Sequence, residues 1–91
     1  KPEWWNDKGL KALSARVVRA APNDPAATSV RAIVLTGQCR AWESGPRSAA
    51  ELNEAAAHFE RAVALCDAPA QKEVLAGNAV RCHSLAEAMY R

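Results

Sequence analysis

Glu54 and His58 stand four positions apart, the spacing that places two side chains on one face of a helix. An acid beside an imidazole is the minimum for general acid–base work. Here the pair has no third member. The sequence carries no nucleophile motif, no phosphate-binding glycine loop and no His-Glu-x-x-His. A lone Glu–His pair on a helix surface is ordinarily a weak solvated contact. His83 directly follows Cys82, but adjacent helical residues point about 100° apart and rarely ligate one metal together. Cys39, Cys66 and Cys82 are widely spaced and form no Cys-x-x-Cys pair. The residues therefore argue against an enzyme, a metal site and any bound cofactor. They fit small buried thiols in a reducing, intracellular setting, the cytoplasm first of all.

A second constellation is electrostatic. Lys8, Lys11, Arg16 and Arg19 fall within twelve positions, and Lys8, Lys11 and Arg19 can share one side of a helix. Such a cluster can contact phosphates. Residues 1–47 carry eight basic and four acidic side chains, whereas 48–91 carry four basic and six acidic. The resulting basic face is weak, and neither a recognition motif nor interleaved aromatics accompany it. Nucleic-acid binding through the first helix is thus the alternative reading, and uneven solvated charge the simpler one.

These side chains need elements to hold them. Ninety-one residues make one domain, spanning 1–91. A chain of this length buries only about 60–65% of its unfolded surface, so its core is modest. No apolar run reaches the roughly 18 residues that span a bilayer, and no secretory signal pattern opens the chain. The opening Lys-Pro-Glu-Trp-Trp lacks Met, so the chain is expected to be a fragment of a longer protein.

Four helix-periodic segments are separated by three sets of breakers. The first is expected from about Glu3 to Ala21, with Pro2 in its first turn. Gly9 weakens it, so that it can bend or begin late, near Asn6. Pro22-Asn-Asp-Pro25 stops that helix and starts another, with Asp24 as its cap. The second helix is expected from Pro25 to Glu43. Val30, Ile33, Val34, Gly37 and Ala41 make one apolar stripe on it, and Ala32, Leu35, Cys39 and Trp42 another. Two stripes place a helix between neighbours. Ser48-Ala-Ala-Glu51 matches a capping box and opens a third helix, about Ala49 to Cys66. Asp67-Ala-Pro69 precedes the fourth, about Ala70 to Tyr90. No strand-like alternation occurs. The class is all-α, with antiparallel neighbours joined by short connections.

Within the third helix, Ala55, Phe59 and Ala62 lie at i, i+4 and i+7, hence on one side. Small residues admit a close partner helix, and the lone Phe fills the space between helices. Its role is in the scaffold. The stretch Ala55 to Leu65 resembles the second helix of a tetratricopeptide repeat, whose mark is Ala-x3-Phe/Tyr-x2-Ala. Ala15 to Ala27 resembles the end of such a helix, with Pro22 in the turn between repeats. Gly37 and Gly77 resemble the small residue of a first helix. The chain departs from the pattern in an excess of about six residues over the roughly 34-residue repeat, carried by Glu43 to Leu52. It also has no large aromatic early in the first helix, and Asp67 stands where Pro is usual.

What the resemblance implies is a short α-α superhelix of stacked helical hairpins, about four helices, with a closed four-helix bundle as the alternative. It further implies a protein-interaction scaffold that holds a peptide or a partner helix on a concave face. On that lining Arg31, Gln38 and Trp42 are expected from the second helix, and Asn78 and Arg81 from the fourth. Some members of the family grip a C-terminal carboxylate. Asn78 matches that set and Gln38 does so weakly, but Val34 and Val74 stand where polar groups are wanted, so chaperone-tail binding is disfavoured. Trp4 and Trp5 are a terminal interface or a cover over the open end of the core. Exposed array ends also allow self-association.

Overall fold

The structure is a computed structural model that describes residues 2–37, 42 and 44–90. It contains four helices: α1 (Asp7–Ala20), α2 (Pro25–Thr36), α3 (Ala49–Leu65) and α4 (Pro69–Ala88). Among the described residues there is no strand.

Each boundary has a local cause. The Asn6 side chain accepts the N–H of Gly9 at 2.8 Å and caps α1, which is the later of the two expected starts. Pro2 therefore lies outside the helix, and Glu3–Trp4 form a turn whose carbonyl at Trp4 folds over Gly9. A Cβ there would lie 2.1 Å from the Trp4 oxygen, so position 9 requires glycine. Asp24 caps α2 through the N–H of Ala26, with Pro25 in the first turn.

Helix α2 closes after Thr36, before the Glu43 that its apolar pattern suggests. Gly37 adopts φ 65° in the left-handed region and closes α2 as its C-cap, where the sequence reading had counted it in a helical stripe. Glycine takes that conformation without steric cost. Residues 38–41, and with them Gln38, Cys39 and Ala41, lie outside the described residues. Trp42 lies beyond the end of α2 rather than on it. The capping box of Ser48 and Glu51 opens α3 with both of its hydrogen bonds present.

Packing is sequential. Among the described residues α1 rests on α2, α2 on α3 and α3 on α4, and no other helix pair is extensively packed. Side-chain pairs show each neighbour to be antiparallel. Arg31 on α2 reaches Lys11 on α1 and Glu54 on α3, and His83 on α4 reaches Glu60 on α3. A closed four-helix bundle would bring α1 against α4. Here the helices instead form an open slab of 37 × 36 × 21 Å, about two helix diameters thick.

The core lies around α3. Ala55, Ala56, Phe59 and Ala62 are fully or almost fully buried, and they meet Ala32 and Leu35 from α2 and Leu75, Ala79 and Cys82 from α4. The alanines permit close approach and Phe59, 2% exposed, supplies the bulk. Thr28 is fully buried, its hydroxyl donating to the carbonyl of Asp24 at 3.0 Å. Its burial had no signature in the apolar pattern.

A candidate partner-binding groove

Helices α2 and α4 both pack against α3 without packing extensively on each other. The space between them is a trough with two recesses. The first, about 220 Å³, is lined by Ile33 and Thr36 of α2, Phe59 of α3, and Asn78, Arg81, Cys82 and Leu85 of α4. The second, about 330 Å³, lies toward the start of α2 and is lined by Pro25, Ala26, Ser29 and Val30, with Cys66, Gln71 and Leu75 opposite. The early part of α2 faces the early part of α4 in the second recess and the late parts face each other in the first, so the two bordering helices run parallel.

The trough explains an otherwise odd exposure. Val30 and Ile33 were expected on a buried stripe, yet they are 51% and 42% exposed. Their stripe faces the trough, where α4 stands too far off to cover them. Val74 on α4 is likewise exposed. Apolar side chains lined along a trough mark an interaction surface more strongly than the same residues scattered singly.

The polar groups at its rim differ in how they are engaged. Arg81 is exposed and, among the described residues, forms no hydrogen bond or ion pair. Asn78 is half-buried beside it and likewise has no hydrogen-bond partner among the described residues. The neighbouring Cys82 thiol is 3% exposed, and burial pushes its pKa up, so it stays protonated and inert.

Arg31, expected on the same lining, is placed elsewhere. Its guanidinium enters the junction of α1, α2 and α3, donating to the Lys11 carbonyl at 2.8 Å, the buried Ser14 hydroxyl at 3.1 Å and Glu54 Oε2 at 3.2 Å. Its side chain is only 13% exposed. Glu54 also meets His58 Nε2 at 3.2 Å, so the acid–imidazole pair is part of this ion cluster.

Trp42 is engaged at the opposite end of α1. Its indole N–H donates to Asp7 Oδ1 at 3.2 Å, and its ring meets Trp5 edge to face with centroids 6.4 Å apart. Trp4 stacks obliquely on Trp5 and is 47% exposed. The three tryptophans thus form one cluster across the start of α1 and the α2–α3 connection.

That connection is held by Arg47, which the sequence reading passed over. Arg47 donates to Asp7 through both terminal nitrogens, at 2.6 and 2.8 Å, and to the carbonyls of Val34 and Leu35 at 2.9 and 3.0 Å. It thereby satisfies the Leu35 carbonyl at the end of α2 and adds to the Gly37 N–H that the Val34 carbonyl already accepts. The hydrogen bonds from Arg47 hold the Asp7 carboxyl far below the usual carboxylate range, with Trp42 and the Gly45 N–H lowering it further. Lys11 bridges Glu51 at 2.6 Å, and together with the backbone N–H of Ser48 it lowers the Glu51 carboxyl. Of the basic cluster on α1, Lys11 is therefore committed within the fold, while Lys8, Arg16 and Arg19 remain exposed.

Among the described residues no three His, Cys, Asp or Glu side chains converge as a metal site would require. No helix of the described residues is long and apolar enough to cross a membrane. Comparison with protein-family models, with curated proteins and with solved structures finds no match to this chain.

Proposed function

We propose that this chain is a protein-interaction module of tetratricopeptide-like design that binds a partner polypeptide in the trough between α2 and α4. One observation carries the reading. Two parallel helices lean on a shared third and stay apart, leaving Val30 to line one open recess and Ile33 and Phe59 the other, next to Arg81 and Asn78, which are unpaired among the described residues. Apolar contact supplies affinity and the polar pair supplies orientation. The module acts by binding rather than catalysis, in an intracellular setting that suits its reduced thiols. Arg31 and Trp42 support the scaffold in this reading, and recognition falls to Asn78 and Arg81.

Affinity selection from a random peptide library on the intact chain tests it, with the Val30→Glu/Ile33→Glu double variant as the counter-bait. Both positions are about half exposed, and retained helical circular dichroism is the folding control for the variant. Peptides that bind the natural chain and not the variant are the expected outcome. A selection that yields no binder, or binders indifferent to the two substitutions, overturns the reading.

A second reading has a specific observation behind it. Lys8, Arg16 and Arg19 are exposed on α1 and unpaired among the described residues, so phosphate contact by that face is open to them. Nucleic-acid affinity that falls steeply with salt and is lost on Arg16→Glu/Arg19→Glu would establish it. Absence of binding at low salt would remove it.

A further inference from the structure

An open trough by itself accepts any polypeptide. Its walls are more selective. The lining offers few hydrogen-bonding side chains: Ser29, Thr36, Gln71, Asn78 and Arg81, spread over the length of both borders. An extended peptide brings one N–H and one C=O per residue, and against apolar walls most would lose water without gaining a partner. A helix satisfies its backbone internally and presents only side chains.

The spacing of the recesses agrees. Their lining residues average about seven positions apart along α2 and between eight and nine along α4, or roughly 10–13 Å at the helical rise. Same-face residues of a helix at i and i+7 or i+8 are separated by that distance. On an extended chain the same-face intervals are about 7 and 13 Å, so only the longer one reaches the upper end of the span. Each recess is large enough for one bulky apolar side chain and far too small for a helix body, which would ride above on the lip formed by Val30 and Ile33. This is the anchor pattern of a helix laid in a groove.

Charge fixes the remaining feature. Among the described residues, the only charged side chain lining either recess is Arg81, with the Asn78 amide a turn before it. Arg31 and Arg47 are consumed inside the fold, whereas Arg81 is free among the described residues. A carboxylate placed over that end would take charge-assisted hydrogen bonds from Arg81 and Asn78, and a cation there would be repelled.

We infer that the occupant of the α2–α4 trough is an amphipathic partner helix carrying two bulky apolar anchors seven or eight residues apart and an acidic residue one turn from the anchor that enters the Ile33–Phe59–Leu85 recess. This inference rests on the groove reading above and narrows it to one class of partner.

The test uses the intact chain and two display libraries, one randomised on a single face of a stable helical scaffold and one of linear peptides interrupted by proline. Binders lost on Val30→Glu/Ile33→Glu are then measured against Arg81→Glu, with retained helical circular dichroism as the folding control. The expected result is groove-dependent binders from the helical library, with apolar pairs at i/i+7 or i/i+8 and an acidic residue. Their affinity falls at least tenfold on Arg81→Glu and returns when that peptide acid is changed to Lys. If groove-dependent binders come from the proline library, or the helical ones ignore Arg81→Glu and show no anchor period, the inference is overturned while the groove reading stands. If no binder from either library depends on Val30 and Ile33, both fall together.

Discussion

Asp7 and Arg47 are forty residues apart in sequence and 2.6 Å apart in space, joined by two parallel hydrogen bonds in which the guanidinium grips both carboxylate oxygens. The same guanidinium holds the last carbonyls of α2. This one side chain therefore ties the start of α1, the end of α2 and the approach to α3. Its side chain is 6% exposed, which makes the pair costly to break from one side.

Removing Arg47 should therefore destabilise more than an ordinary surface change. Arg47→Ala leaves Asp7 charged without its guanidinium and the Leu35 carbonyl without this donor, and about 3–5 kcal/mol is expected. Asp7→Asn keeps partial hydrogen bonding and should cost about 1–3 kcal/mol. Urea denaturation of both variants measures the difference. Equal and small losses would show that the clasp is solvated.

Stability should decline in acid with a defined sign. Asp7 and Glu51 are both held below their ordinary values by their cationic and N–H partners. Their unfolded forms, at about 4, take up protons first as pH falls. The stabilisation is full above that value and is lost as pH drops toward the folded pKa of each group. Thermal midpoints between pH 6 and pH 2 should fall, and Asp7→Asn should flatten the slope.

Two arginines on the expected lining should behave oppositely. Arg31→Ala removes hydrogen bonds to Lys11, Ser14 and Glu54 and should cost about 1–3 kcal/mol, leaving the buried Ser14 hydroxyl a partner short. Arg81→Ala breaks no contact among the described residues and should change stability by less than about 0.5 kcal/mol. Parallel chemical denaturation separates them. A stability loss on Arg81→Ala would assign that residue to the scaffold.

Phe59→Ala should cost about 3–5 kcal/mol, because the ring is the largest piece of a core otherwise built from alanine. That is a large share of the roughly 5–14 kcal/mol expected for a domain of this size. The same variant enlarges the first recess, since Phe59 lines it. Loss of cooperative unfolding is the expected readout.

Gly9→Ala tests the turn over α1. Alanine is the better helix former by about 1 kcal/mol, so a helix governed by propensity would gain. The Cβ would instead meet the Trp4 carbonyl at 2.1 Å, and residues 2–5 must shift. A lower thermal midpoint is expected, together with a weaker near-ultraviolet signal from the tryptophan cluster.

Element type and order were legible in the chain because local chemistry sets them. Asp24-Pro25 and the Ser48–Glu51 box act within one turn, and the 3.6-residue apolar period needs no distant partner. The buried Ala55–Phe59–Ala62 side of α3 follows from the same periodicity. The end of α2 was less legible. Apolar residues continue past Gly37, and only its backbone conformation reveals it as a terminator.

What the tertiary structure alone decided is which polar residues are spent and which are free. Arg31, Arg47 and Arg81 are chemically identical side chains on or beside helices. Two of them are neutralised by carboxylates 23 and 40 positions away. Contacts over such separations depend on how the rods are laid side by side, and no local pattern encodes that. The trough has the same origin. Val30 and Ile33 read as core by periodicity, and they stay exposed because α4 leans on α3 and leaves α2 uncovered along that edge.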